Sequence, residues 1–342
     1  MSIRIATERD AEPWQTFVET HPQCTNYHRW PWKRVIEEAF GWPSFYLVAE
    51  SDGRTTGILP LVFQKSVLFG SLLCSIPFFS EAGIVAESPE TERALLAEAI
   101  RLAKELKTQY LELRQDRPVS IDLPVKTKKV ILLCEVSREP EEIMQRLTTK
   151  MRTNVRRVQK SGMEVEFAAK EFLDDFYSVF AKKMRDLGTP VYSKRFFEVI
   201  LEVFPGEAFI CRLRHQGKTV GAGFLTGYRQ RIEANWSASL PQAASLRPNM
   251  ALFWNLLCFA GRKGYSEFDF GRSSVGSGTY AFKLQWGATP TQLYWNYWTP
   301  SGETAPELDS DSPRYRAAIW LWKRLPLAVT NLVGPSIARC LP

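Results

Sequence analysis

The chain has 342 residues, too many for one ordinary core and enough for two domains. Apolar residues make up 45% of it and charged residues 24%, a globular balance that excludes fibrous and low-complexity chains. Its formal charge of +7 favours an anionic partner such as phosphate, RNA or a lipid surface, without choosing among them.

Met1 to Ile5 runs at once into charged residues, with no apolar core of a signal peptide. The longest apolar run, 67–79, is broken by Gly70, Ser71, Ser75 and Pro77 and falls short of the roughly 20 residues that a membrane helix needs. A cytoplasmic chain is the expectation, with a peripheral place at the inner membrane left open. The six cysteines lie far apart, and Cys74, Cys134, Cys211 and Cys258 sit inside apolar runs. They read as small hydrophobes, with neither a disulfide framework nor a metal site expected. Of three histidines, His28 lies among Tyr27, Trp30 and Trp32 and reads as packing.

The remaining elements come in two rounds. Ile3 to Ala6 reads as a strand followed by a helix, and 27–40 as a short amphipathic helix. Phe45 to Leu61 reads as a hairpin around a polar, glycine-containing turn. Ala94 to Gln115 then gives a helix and the strand Tyr110-Leu111-Glu112-Leu113. The same order returns in Val165 to Ala168, the helix from Glu171, Tyr192 to Phe204, the hairpin Phe209 to Leu225, and Ala251 to Arg272. Gly53-Arg54-Thr55-Thr56-Gly57 aligns with Gly217-Lys218-Thr219-Val220-Gly221. Several matches in one order predict a duplicated α/β (α+β) chain. The expected segments are 1–135 and 162–300 as domains, 136–161 as a linking basic helix and 301–342 as a tail.

The linking helix, expected as one piece over 139–161, carries Met151, Val155 and Val158 as an apolar stripe. Arg152, Arg156 and Lys160 form a basic ridge away from it, widened by Lys150 and Arg157. A solvated face is the bland reading. No acid occurs in this stretch to neutralise the ridge, and like charges at this spacing repel, so a clamp for phosphates is the functional reading.

The densest stretch is 268–287, a strand, a Gly/Ser-rich loop, then aromatics around one lysine. Such a loop can offer N–H groups to an anion, although Arg272 is one residue too far from Gly276 for the usual acetyl-CoA pattern. Lys283 is the one cation between Ser273 and Leu293. It reads either as a snorkelling surface lysine or as the donor that a tetrahedral oxyanion needs. Asp269, between Phe268 and Phe270, is expected to face the opposite side of the strand from them. It would orient a donor, accept a proton or pair with Arg272. The tail from Tyr315 mixes Trp320, Trp322, Leu325, Leu327 and Val329 with Arg314, Arg316, Lys323 and Arg324. That composition suits an anionic membrane surface, and a helix packed on its own domain is the plainer reading.

Two motifs carry a family resemblance. The run Lys150-x-Arg152-x-Asn154-x-Arg156-Arg157-x-x-Lys160-x-Gly162 resembles the FemAB-type peptidyltransferases. So does Phe268-Asp269-Phe270-Gly271-Arg272 followed by Gly278-Thr279-Tyr280-x-Phe282-Lys283-x-x-Trp286-Gly287. The resemblance runs from about Trp14 to Tyr297. Leu187 to Tyr192 and Trp322 to Pro326 look most similar to the FemAB-like proteins associated with exosortase/PEP-CTERM systems. It implies two tandem GNAT-like domains, each a mixed, mostly antiparallel sheet flanked by helices. It also implies transfer of an aminoacyl group from aminoacyl-tRNA to an amine on a cell-wall precursor. By motif match the catalytic residues are Lys283, Phe282 and Asp269, with the lysine stabilising the oxyanion. Arg272, Tyr280, Trp286, Arg152, Asn154, Arg156 and Lys160 are the expected substrate contacts. The chain lacks the coiled-coil arm proposed to engage tRNA in some members, so a polysaccharide or lipid-linked sugar is an alternative acceptor. No tightly bound cofactor is expected, and the donor is aminoacyl-tRNA or acyl-CoA. Three readings stand: a FemAB-type transferase, a GNAT-type enzyme using acyl-CoA or another carrier, and a non-catalytic module binding an anionic glycan precursor.

Overall fold

The computed structural model describes residues 1–66, 70–302 and 313–340. The start of the apolar run at 67–79, and positions 303–312 and 341–342 of the expected tail, lie outside the described residues. The chain forms two compact units, 1–130 with 292–308 and 339–342, and 131–291 with 309–338.

The first unit contains β1 (Ser2–Ile5), α1 (Ala11–Thr20), α2 (Trp32–Phe40), β2 (Ser44–Ser51), β3 (Arg54–Ser66), β4 (Gly70–Cys74), β5 (Val85–Ala86), α3 (Pro89–Glu105), β6 (Tyr110–Gln115) and β7 (Val125–Lys126). Its sheet is ordered β1-β2-β3-β4-β6, then a strand from far along the chain, Tyr294–Trp298 (β15), then β7, with β5 on β3. Ser88 caps α3 by accepting the Thr91 N–H, and Pro89 fills the first turn, where no N–H partner is needed. The buried face of α3, Leu95, Ala99, Leu102 and Ala103, covers Leu47, Leu59, Leu61, Leu111 and Leu113. His28 packs as expected: it is buried, with Nε2 against the Gly83 carbonyl at 2.9 Å.

The second unit contains β8 (Lys129–Glu135), α4 (Pro140–Arg146), α5 (Thr149–Gln159), β9 (Glu164–Ala168), α6 (Leu173–Leu187), α7 (Lys194–Val203), β10 (Ala208–His215), β11 (Lys218–Tyr228) and β12 (Arg231–Ser239). It continues with α8 (Pro248–Arg262), β13 (Glu267–Ser274), α9 (Gly278–Leu284), β14 (Thr289–Gln292), α10 (Pro313–Trp322) and α11 (Leu327–Ala338). The sheet order is β14-β8-β13-β12-β11-β10-β9. An aromatic core fixes α6 and α7 on it: Phe176, Phe197, Phe224 and Trp236 meet at ring-centroid distances of 4.9 to 5.6 Å.

The repeat is present down to its irregularities. In both hairpins the two turn residues take positive φ, Asp52 at 52° and Gly53 at 76°, Gln216 at 50° and Gly217 at 75°. These are the left-handed angles of a tight hairpin turn. Each hairpin also has a register shift at the same place, after Ala49 and after Leu213. In each unit the strand beyond the hairpin runs parallel to the next over three pairs, Leu72↔Tyr110 to Cys74↔Glu112 and Arg231↔Glu267 to Glu233↔Asp269. Two features differ from the sequence reading. The expected single helix over 139–161 is two helices, because Leu147 is extended and Thr148 starts a new turn by accepting the Met151 N–H. The strand at 129–135 belongs to the second sheet, so the units divide at 130/131.

Candidate active site

The site is built where β13 gives way to α9. Phe268, Asp269 and Phe270 are all buried, and the strand's parallel register sets Asp269 beside Glu233 of β12. Asp269 Oδ1 accepts the Gly271 N–H at 2.7 Å, and Gly271 turns the chain with φ of 73°. That angle is open to glycine at no steric cost. The Gly/Ser stretch after the strand is read in sequence as a loop, and it ends instead in a short helix. Ser277 caps this helix by accepting the Tyr280 N–H.

The helix turns Phe282 and Lys283 in different directions. The Phe282 ring is half-buried and meets Phe253 of α8 edge-on at 5.3 Å and Trp286 at 6.2 Å. Lys283 points back at β13, only 9% exposed, and its Nζ donates to the carbonyls of Gly271 at 2.8 Å and Arg272 at 3.0 Å. An ammonium has three N–H groups, and two of them are fixed by these carbonyls. Burial pushes Lys283 down to about 8, against the pull of Asp269 and Glu233. Burial likewise raises Asp269 to about 6, opposed by Arg231, the Gly271 N–H and Lys283. The charges are thus mutually dependent, and each is costly in its own right.

The first unit shows which part of this is scaffold. The acid at the equivalent strand position is Glu112, also buried. Burial works to raise Glu112, but Arg114 and hydrogen bonds hold it below its ordinary value, with Arg114 Nε donating to it at 2.6 Å. An acid on the parallel strand is therefore common to both halves. A cation delivered from a following helix is the feature of the second half.

The other expected residues separate. Arg272 contributes its carbonyl to Lys283, while its side chain is exposed. Tyr280 is half-buried on the first turn of α9. Trp286 is 1% exposed and meets the Phe282 ring edge-on. On α5, Met151, Val155 and Val158 are buried as the stripe predicts. Arg152 and Arg156 line an open groove of about 640 Å³ with residues of α4 and with Trp254 of α8. Asn154 lies two residues from each arginine, hence on the far side of the helix, where it accepts a hydrogen bond from Arg247. Lys160 shares the arginine row but sits at the C-cap, past the end of the groove. The sequence gives Trp254 and Phe253 no contrast, because α8 is apolar on nearly every side.

Residues 145–284 match the family described as acetyltransferase (GNAT) domain. No curated protein sequence matches the chain significantly. Among solved structures the chain is similar to FemX, with 16% identity, a TM-score of 0.67, and coverage of 86% of this chain and 97% of that one. It is similar to a tandem GNAT protein from the clavulanic acid biosynthesis pathway, with 13% identity, a TM-score of 0.53, and coverage of 89% and 99%. It is also similar to L-PGS from Bacillus licheniformis, with 13% identity, a TM-score of 0.51, and coverage of 89% and 96%. At such identities the likeness is one of fold. The architecture is a tandem GNAT-like α/β fold.

Proposed function

We propose that this chain is an acyl- or aminoacyl-transferase of FemAB type that acts on an amine of a cell-wall or exopolysaccharide precursor. The observation that carries the reading is the buried Lys283 ammonium, held by the carbonyls of Gly271 and Arg272; its third N–H is the one we assign to the oxyanion. When the amine attacks the acyl carbon, a C–N bond forms and the carbonyl oxygen becomes an oxyanion. A donor already fixed in place stabilises that charge without reorganising. Collapse breaks the C–O bond to tRNA, or the C–S bond to coenzyme A, and the amine's proton leaves with the substrate or solvent. Asp269 acts electrostatically here, keeping Lys283 charged. Phe282, on the half-buried side of the helix, walls the acyl group from water. Arg152 and Arg156 take the phosphates of a nucleotide- or lipid-linked precursor.

The donor has two readings. Aminoacyl-tRNA follows from the motif resemblance. An acyl-CoA donor is favoured by the match of 145–284 to the GNAT acetyltransferase domain. Both are tested by supplying aminoacyl-tRNA and acetyl-CoA separately, with an amine-bearing nucleotide-linked muropeptide as acceptor. Amide product is read by mass spectrometry. Product with one donor, reduced about 10²–10³-fold in Lys283→Met, is the expected result, the cost of one oxyanion donor. Equal product from the variant would sink the assignment of Lys283.

A further inference from the structure

The last of the C-terminal helices, α11, turns its small residues inward and leaves large apolar residues outward. On α11 the residues facing the protein are Thr330, Gly334 and Ala338, four apart and buried. The helix packs on α6, and a Cβ on Gly334 would lie 3.3 Å from both the side chain and backbone of Val191. On the opposite side Leu332 is 79% exposed, with Val329 and Val333 beside it on the helix surface. A helix in water normally hides such residues and shows polar ones. Helix α10 is anchored by Ile319 and the stem of Lys323, which close on Gly188 at the end of α6. Its Trp320 and Leu321 are more than half exposed, and Leu187 at the end of α6 is also exposed.

The charges on this surface have one sign. Residues 313–338 include no aspartate or glutamate. Arg316, Lys323 and Arg324 are exposed, and the Arg324 guanidinium lies over the Trp320 ring at 3.7 Å while donating to the Trp320 carbonyl. An amphipathic aromatic ring with a cation beside it suits the boundary between headgroups and acyl chains. At 12 residues α11 is about 18 Å long, too short to cross a bilayer, and among the described residues no helix is long and apolar enough to do so.

We propose that α10 and α11 form a docking surface for an anionic phospholipid membrane. Leu332, Val333, Val329, Trp320 and Leu321 enter the acyl boundary, and Arg316, Lys323 and Arg324 meet the phosphates. The two contributions reinforce each other, as they do for interfacial helices in general.

Flotation of the full chain with phosphatidylcholine vesicles, with and without phosphatidylglycerol, tests this at low and high salt. The expected result is binding to the phosphatidylglycerol vesicles that weakens with salt. Lys323→Glu should weaken it about fivefold or more. Leu332→Glu should weaken it about tenfold or more, and its side chain is so exposed that folding is untouched. Failure to float with anionic vesicles at low salt overturns the proposal, as does binding that Leu332→Glu and Lys323→Glu both leave unchanged. Sedimentation velocity supplies the other overturning result: a dimer that Leu332→Glu dissociates would give this surface to a second copy of the chain.

Discussion

Lys283 should lose its proton near pH 8 in the folded protein, and transfer should fall with it. The ordinary lysine value is 10.5, and the drop to about 8 comes first from burial, which Asp269 and Glu233 only partly offset. A drop of that size corresponds to about 3 kcal/mol spent in keeping the charge away from water. With the midpoint at about 8, ammonium outnumbers amine about tenfold at pH 7, and the ratio is inverted at pH 9. If the cation stabilises the oxyanion, kcat/KM should therefore fall about tenfold between those two values. The midpoint itself needs no substrate. Lysines labelled with ¹³C at Cε report their charge by chemical shift, and the Lys283 signal is the one absent from Lys283→Met. A midpoint at or above 10 would refute the burial described for this ammonium. A midpoint near 8 with no alkaline fall in kcat/KM would leave the burial standing and refute the oxyanion role.

Asp269→Asn removes the acid that most favours the charged lysine, so the same NMR titration should place the Lys283 midpoint lower than in the wild type. The cost of the buried ammonium is fully present below pH 8 and is relieved as pH rises from 8 towards 10.5. Thermal melts should accordingly show wild type gaining on Lys283→Met across that interval. Arg152→Glu with Arg156→Glu should weaken pyrophosphate binding about tenfold or more by calorimetry, with the difference shrinking in high salt. Gly261→Ala would put a Cβ 1.8 Å from the Ser137 carbonyl oxygen, a backbone atom that cannot step aside. A net loss of about 2 kcal/mol or more is expected, since overpacking outweighs the better helix propensity of alanine. A lowered Tm checks it.

Much of this fold is local, and local features are what a sequence displays. The hairpins were legible because their turns carry glycine at a left-handed position and their flanks carry matched apolar runs. The Met151, Val155, Val158 stripe was legible from its spacing. The break at Leu147 was not, since it depends on one threonine capping inside a continuous helical pattern. Helix α9 was hidden for the opposite reason: its capping serine sits in a run of glycine and serine that reads as loop. Lys283 stood out as a lone cation, but its partners are carbonyls of Gly271 and Arg272, groups every residue has and no pattern marks. In sequence the tail reads chiefly as a packed terminal helix, interrupted by prolines. Helix α11 does pack on α6, with Pro335 inside it, yet Val329, Leu332 and Val333 face outward. The long-range insertion of β15 had no local signal at all.

That insertion constrains how the protein is made. β15 pairs antiparallel with β6 from Tyr294↔Gln115 to Trp298↔Leu111, and with β7 at Trp295↔Lys126 and Asn296↔Val125. Until residue 298 leaves the ribosome, β6 has a bare edge and β7 has no strand to join. The Arg114 guanidinium also waits for the ring of Trp295, which it meets at 4.6 Å. All seven strands of the second sheet, by contrast, lie between residues 129 and 292 in one uninterrupted stretch. The half synthesised first is thus the half completed last. During translation its open strand edge is a template for mispairing with neighbouring chains. A fragment ending near residue 290 would keep that edge permanently, whereas 129–292 has every strand it needs to close its own sheet.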